Sequence, residues 1–417
     1  MSGLAGAVTA AAEAVEGVTN NAAAPAVREA FSVTWFDYEP SAGISLPGGY
    51  ARTDFSNRGE KADPRTDDFI ITDLGLQLQF GGLGVSVVTD FLSYSFRGAS
   101  SSLGLQLGRI HACAAHAFFD HQLLVGAGVR GAYAVIRPEG QGSQEVGRLG
   151  MLGAAPEAGV IVKPNDERFR LGATVRAAVD AGAVSLGPVL SIPQSDGSGV
   201  RKAATLVLPD RVTLPWELEA GVAYQLGPRP LNPRWKNPHD ESRALADAIA
   251  KRRAARARAR LPADEEAALR AAEDAELEGE AKALLEGRRA RFANWPRPYL
   301  LLLASALLTG PSAEAVALEG FLDQRRELVG SSVTLSPRFA AESEVIPDRM
   351  RLRAGVYFEP SRFADGATRE HLTFGWDLKL FAWDALGLLP DMTWRLKAFV
   401  DVAARYENFG FGLGAWH

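Results

Sequence analysis

Charged side chains recur at every second position in the last third of the chain. Arg349, Arg351 and Arg353 alternate with Met350, Leu352 and Ala354, and Asp377 and Lys379 alternate with Trp376, Leu378 and Leu380. Arg395, Lys397 and Asp401 alternate with Trp394, Leu396, Ala398 and Val400; Arg338, Glu342 and Glu344 extend the set. Period two places such charges on one face of β-strands, opposite an apolar face. Two chemistries are open to them. Away from water, charges require partners, so they form an interlocked network bracing whatever they line. Alternatively, the planar forks of Arg338, Arg351, Arg353 and Arg395 bind the carboxylate of a ligand. His111 and His116 lie close in sequence, but no third ligand at suitable spacing accompanies them, so no metal site or cofactor is expected. No nucleophile elbow, phosphate loop or catalytic carboxylate pair occurs in a supporting context, so the chain reads as a non-enzyme.

The strands that carry these faces are long. His371 to Asp384 and Thr393 to Tyr406 form two stretches of about a dozen residues, with Leu372, Phe374, Trp376, Leu396 and Val400 on the apolar side. That length crosses a bilayer at the tilt of a barrel. Similar alternation marks 29–40, 70–80, 83–96, 103–120, 121–136, 150–164, 169–182, 211–226, 297–309, 332–345, 349–360 and 408–417. The count is about fourteen, an even number as expected of bacterial outer-membrane barrels. The short links at Gly81-Gly82, Asp120-His121, Asn165-Asp166, Ile346 to Asp348 and Ala385 to Asp391 all fall at one end, read as periplasmic. The long polar links around 43–68, 137–149, 183–210, 311–331 and 361–370 fall at the other. Arg97, Arg362 and Arg369 sit at those outer strand ends, where lipopolysaccharide phosphate is one partner and water the other.

Bulk numbers agree with this class. A mean hydropathy of -0.05 is what a barrel gives, because lipid-facing and lumen-facing residues average out. The net charge of -5 argues against a nucleic-acid partner, and the single Cys113 against disulfides. No apolar run reaches the length of a transmembrane helix. No signal peptide precedes the segment, which for an exported protein implies mature-form numbering with an added start.

Four regions follow. Residues 1–29 are small and Ala-rich, without a self-sufficient apolar face, and are expected inside the barrel. Residues 30–228 supply strands one to eight, and 297–417 strands nine to fourteen. Residues 229–296 break the pattern. Helix formers over 240–260, a stop at Leu261-Pro262 and a second helical run to Phe292 predict a helical hairpin on the periplasmic side. Twelve Lys and Arg over 240–291 balance twelve Asp and Glu, and Lys251 to Arg260 should pair with Glu265, Glu266, Glu273 and Asp274. Trp235 and Trp295 flank the hairpin and are candidates for anchoring its base at the membrane interface.

GLAGAVTAAAEAVEGVTNNAAAPA at the start, PEAGVIVKPNDERFRLGATVRAAV and LPWELEAGVAYQL together resemble the FadL family of outer-membrane transporters for long-chain fatty acids and other hydrophobic molecules. The resemblance spans most of 3–228 and, more loosely, 297–417. It implies a fourteen-stranded barrel whose N-terminal segment is a lumenal hatch, with Asn20 and Asn21 in the latch motif. It further implies passive uptake of a hydrophobic ligand from outside and release sideways into the membrane. The chain departs from the family in two places: Asn20-Asn21-Ala22-Ala23 replaces the Asn-Pro-Ala motif, with Pro25 later, and the helical insertion is not a usual family feature. A reading from another class is a structural outer-membrane anchor whose hairpin, 240–292, recruits a periplasmic protein. The first reading requires an apolar cavity between hatch and wall, the second a sealed lumen and an exposed apolar stripe on the hairpin.

Overall fold

The computed structural model describes residues 3–416 apart from 30, 33, 48–52, 61–69, 98–101, 140–147, 187–199, 204–205, 260, 313–314, 318–319, 322–325, 364–365 and 383–391. Fourteen antiparallel strands close into one barrel. They are β1 (Phe36–Pro47), β2 (Ile70–Phe80), β3 (Leu83–Arg97), β4 (Ser102–Phe118), β5 (Leu123–Glu139) and β6 (Arg148–Val162). The strand β7 runs over Phe169–Arg176 and resumes at Val179–Leu186; β8 runs over Arg211–Leu214 and resumes at Glu217–Leu226. Then come β9 (Leu300–Thr309), β10 (Thr334–Ile346), β11 (Met350–Glu359), β12 (Arg369–Ala382), β13 (Thr393–Ala403) and β14 (Tyr406–Ala415). Each pairs with its chain neighbour, and β14 closes on β1 through Ala42 to Pro47. Closure leaves no free edge, the condition for a sheet to stand in hydrocarbon.

The apolar face is outward. Leu372 and Phe374 are exposed, as are Leu352, Leu218, Val222 and Phe411, while Asp377, Arg395 and Lys397 are buried in the lumen. The prolines of the wall sit where one ladder partner is missing. Pro40 pairs with β2 but lies before the β14 pairing begins, and Pro337 pairs with β9 but precedes the β11 register. The first strand starts seven residues later than the alternation of 29–40 predicts. The described residues among 28–35 instead cross from lumen to wall. The tight links at Gly81-Gly82, Phe119 to Gln122, Asn165-Asp166 and Pro347 to Arg349 share one rim, with Gly81 at φ +57 in its turn. The predicted link 385–391 and much of the predicted long links lie outside the described residues.

Residues 3–28 fill the lumen toward the short-turn rim, with one helical turn at Ala14–Gly17 and another at Ala24–Ala26. Most of them are buried; Val8, Val18, Ala23 and Ala24 have no exposure. Inward glycines make room. A Cβ at Gly84 would land on the Pro25 carbonyl, and one at Gly126 on the Ala22 carbonyl.

Between β8 and β9, α1 (Pro238–Ala259) and α2 (Ala263–Ala293) form the hairpin at the short-turn rim, broken at Leu261-Pro262. Arg252 pairs with Glu276 at 2.7 Å, Arg253 with Asp274 at 2.6 Å and Glu273 at 2.8 Å, and Arg256 with Glu266 at 3.0 Å and Glu273 at 2.7 Å. Hydrogen bonds from Arg256 and Arg253 hold the Glu273 carboxyl at about 2, well below its ordinary 4.5. Trp235 does not anchor at a lipid interface: it is 3% exposed, turned inward against His121 at 4.9 Å.

Two outcomes follow. Phe374→Arg, on the lipid face, should destabilise the barrel in bilayers by about 2–4 kcal/mol by denaturant titration; an unchanged midpoint would place that face elsewhere. The depressed Glu273 pKa contributes stability to the hairpin that is fully present above pH 4.5 and lost as pH falls toward 2. Helical circular dichroism should therefore decline across that window while the sheet signal stays constant, and Glu273→Gln should remove the transition.

Candidate functional site

Inside the barrel, the lower half is a charge network built on the luminal segment. Asp377 accepts from Arg353 at 2.8 Å and Arg395 at 3.0 Å. Arg395 reaches on to Glu16 of the luminal segment at 2.8 Å, joined there by Lys397 at 3.1 Å. Arg353 also donates to Glu342 at 2.6 Å, which accepts from the Tyr299 hydroxyl at 2.6 Å. Asp377 is fully buried. Arg338 donates to the Gly6 carbonyl at 3.3 Å and lies 3.4 Å from Glu219. Across the lumen, Arg170 donates to Glu13 at 3.0 Å. The Gln79 side chain donates to the carbonyls of Pro25 and Val27 at 2.7 and 2.8 Å. The strands thus hold the segment by its backbone as well as by its carboxylates, which is what satisfying a buried loop requires.

The six residues singled out from sequence divide accordingly. Asn21 is fully buried and donates to the carbonyls of Thr9 (2.9 Å), Val160 (3.1 Å) and Ala173 (3.3 Å), so one amide ties two turns of the segment to β6 and β7. Asn20 offers its carbonyl to Arg176 at 2.7 Å. Arg338, Arg353 and Arg395 belong to the network just described, and Arg351 lies 4.4 Å over the Trp416 ring. His111 faces the lumen and His116 the exterior, since 111 and 116 differ in parity on one strand. Arg369 and Arg362 are turned to protein rather than to lipopolysaccharide. Arg369 is 5% exposed and binds Glu359 at 2.6 Å, and Arg362 donates to Gly310 O and Ser312 at 2.9 and 3.0 Å.

Sequence reading passed over the middle of the lumen. At that height β7 and β8 are both interrupted, at Ala177-Ala178 and Pro215-Trp216. Inward positions shift parity there: Arg176 and Glu217 face inward below, Val179 and Leu214 above. The β6 ladder stops at Leu152↔Gly182 on one side and resumes at Glu157↔Arg176, with only Ala177 N–H to Pro156 O, at 3.0 Å, between. Arg130 of β5 covers the carbonyls so released. It donates to Ala177 O at 2.8 and 3.0 Å, to Pro215 O, and lies 3.2 Å from Glu217. Glu217 also accepts from Arg176 at 3.0 Å, and Arg176 donates to the carbonyls of Thr19 and Asn20 at 2.7 Å. One carboxylate therefore joins the interrupted wall to the luminal segment. The signal for it was present: Pro215, and a strand in which even inward positions give way to odd ones.

Around this junction lies a cavity of about 220 Å³ lined by Thr19, Asp90, Arg109, His111, Arg130, Arg176, Leu214 and Glu217. His111 and Cys113 both bond Glu157 beside it, at 3.0 and 3.2 Å. Above the belt the inner faces of β3 to β7 are apolar: Leu92, Tyr94, Leu105, Ala132, Ala134, Ile136, Met151, Val179 and Ala181, joined by Phe321 from the β9–β10 link. A larger hollow of about 500 Å³ lies on the lipid-facing wall, where Leu352, Phe374 and Trp376 stand around Ala341 and Ala354. It belongs to the outer belt and not to the lumen.

The closed wall, apolar outer belt and occupied lumen define a transmembrane β-barrel of the kind found in bacterial outer membranes. No protein-family model matches the chain, and no curated protein matches its sequence. Among solved structures it is similar to the CymD monoaromatic hydrocarbon channel, at a TM-score of 0.50 and 10% identity over 100% of this chain and 97% of that one. It is also similar to the Pseudomonas putida toluene transporter TodX, at 0.47 and 10% over 99% and 97%. Both are of the family the sequence resembles. At such identity the likeness concerns the fold, and a TM-score of 0.47 adds no argument of its own.

Asp377→Asn should remove the shared partner of two buried guanidiniums. The expected cost is about 3–5 kcal/mol in unfolding free energy, together with faster hydrogen exchange over residues 13–18. Exchange unchanged would detach the luminal segment from this network.

Proposed function

We propose that the barrel passively admits small hydrophobic molecules, with residues 3–28 as the hatch and the interruption of β7 and β8 as the lateral exit. The observation that carries this reading is one of height. The apolar upper lumen ends at the same level as the broken ladder, and Arg130 touches both. Tyr94, Ile136 and Met151 are packed together at no more than 3% exposure, so a hydrophobic molecule enters by parting them and gains about 25 cal/mol per Å² of its own apolar area removed from water. The belt of ion pairs below is the wrong medium for it. The lower lumen is filled by the hatch, so the path of least cost runs sideways, where few backbone hydrogen bonds need breaking. The short-turn rim, hatch terminus and hairpin then lie in the periplasm, and the long links outside.

The anchor reading receives less support. It needs a sealed lumen together with an exposed apolar stripe on the hairpin, yet for the stripe Ile249 is buried and Leu245, Leu277, Leu284 and Leu285 are half-buried, leaving Leu269 exposed.

Stapling the interruption tests the exit. Ala154→Cys and Ala178→Cys, both outward-facing, in a Cys113→Ser background and bridged by a short thiol-specific cross-linker, should lower uptake of a labelled alkylbenzene or long-chain fatty acid into proteoliposomes at least tenfold. A cleavable cross-linker should restore uptake on reduction. Uptake indifferent to the staple would remove the lateral route. Gly126→Val should displace the hatch by forcing a side chain onto the Ala22 carbonyl, and raise small-solute leakage several-fold.

A further inference from the structure

The helical insertion does more than hang from the rim. Its two ends converge on Arg28, Phe31 and Ser32, in the linker between the luminal segment and β1. Trp235, from the lead-in, donates its indole N–H to the Ser32 carbonyl at 3.3 Å, and Arg288, from α2, donates to the same oxygen. Arg28, the last residue of the luminal segment, lies 4.6 Å over the Trp235 ring and donates to Thr34 O and Asp37 at 2.5 Å. Phe31 packs edge-on against Phe292 at 5.4 Å and Trp295 at 5.0 Å. Arg28, Trp235 and Arg288 are each no more than 4% exposed.

The lead-in also reaches the luminal segment directly. Leu231 is packed in the cluster that holds Leu4, Ala7 and Val8, and Arg170 donates to Leu231 O at 3.0 Å, to Asn232 at 2.6 Å and to Glu13 at 3.0 Å. Arg288 meanwhile closes the base of the hairpin, donating to Lys236 O at 2.7 Å and Glu241 at 2.5 Å. One guanidinium thus assembles the hairpin base and grips the linker; separating the helices at their base releases both. Beyond the base the two helices are joined by exposed pairs such as Arg252–Glu276, each worth little and weakened by salt, and by Arg253 and Arg256 closing on the buried Glu273. The near half is fixed in addition by the aromatic packing of Phe31 on Phe292 and Trp295.

We infer that the helical insertion is a latch on the hatch. While its base is seated, residues 28–35 are immobilised and the luminal segment stays in the barrel; swinging the base away from the rim frees the linker and lets the segment shift. This rests on the hatch reading above, and the test separates the two. The full-length protein is reconstituted in proteoliposomes as wild type, Arg288→Ala, Trp235→Ala and a variant lacking residues 3–28, each checked for heat-modifiable mobility. A further variant, Phe31→Cys with Phe292→Cys in the Cys113→Ser background, is bridged by a short thiol cross-linker to lock the latch. The latch predicts small-solute flux raised at least tenfold in Arg288→Ala and Trp235→Ala, faster amide exchange over 12–35 without change in the strands, and reduced uptake of the hydrophobic probe when locked. If either point variant fails to assemble, the remaining one and the locked variant decide. Flux raised by deleting 3–28 but not by the point variants, with uptake unaffected by the lock, would overturn the latch and leave the hatch standing. Flux unchanged even by the deletion would overturn both.

Discussion

Asp377 sits without exposure between two guanidiniums, and the arrangement of the lumen follows from what that placement demands. A carboxylate removed from water needs charged partners with good geometry. Arg353 and Arg395 supply them, and each has a second carboxylate to serve, Glu342 and Glu16. Because Glu16 belongs to the N-terminal segment, satisfying the wall's charges fixes the segment. Small residues let it lie close: Ala22 and Pro25 approach backbone that only glycine leaves bare at 126 and 84. The segment could not be replaced by larger side chains without leaving the wall, nor removed without stranding the charges.

The same principle operates with the opposite sign at mid-height. Where β7 and β8 lose their ladder, the deficit is in backbone hydrogen bonds, and an arginine supplies donors in place of strand N–H groups. Arg130 is bound to Glu217, which is bound to Arg176, which holds Thr19 and Asn20. The wall is weakest beside an apolar lumen and charged immediately below it, which is the basis of the proposed sideways passage. The bracing and carboxylate-binding readings of the lumen charges concern the same arginines. Arg338, Arg353 and Arg395 are engaged in bracing, and Arg109, which borders the cavity, is itself forked onto Asp90 at 3.0 and 3.1 Å.

Much of this was legible in the sequence, for reasons that can be located. Alternation is close to strict in β12 from His371 to Leu380 and in β13 from Trp394 to Val402, where inward residues other than Phe399 are polar or small and outward ones apolar, so strand, face and span could be read directly. The hairpin was equally plain, because Pro262 stops a helix and charge balance predicts which residues pair. The start of β1 was misread, since EAFSVTWF alternates like a strand yet serves as a linker whose aromatic residue Phe31 packs on Phe292 and Trp295. Trp235 was misplaced for a similar reason: an indole beside a membrane protein's rim suits lipid, and only the fold reveals Arg28 and Ser32 beneath it. The Arg130–Glu217–Arg176 junction is not legible because its members stand on three strands: Pro215 and the change of inward parity mark the interruption, but not that these three side chains meet there.

The central claim is that the apolar upper lumen is the place where a hydrophobic molecule rests before leaving through the wall. Crystals soaked with a brominated alkylbenzene test it through the anomalous signal of bromine. The account predicts a bromine peak inside the barrel, bounded by Tyr94, Ile136 and Met151 and above Arg130, with any second peak on the bilayer side of Pro156 and Ala177. Bromine found only against the outer belt, with the lumen above Arg130 empty of it, would contradict the account.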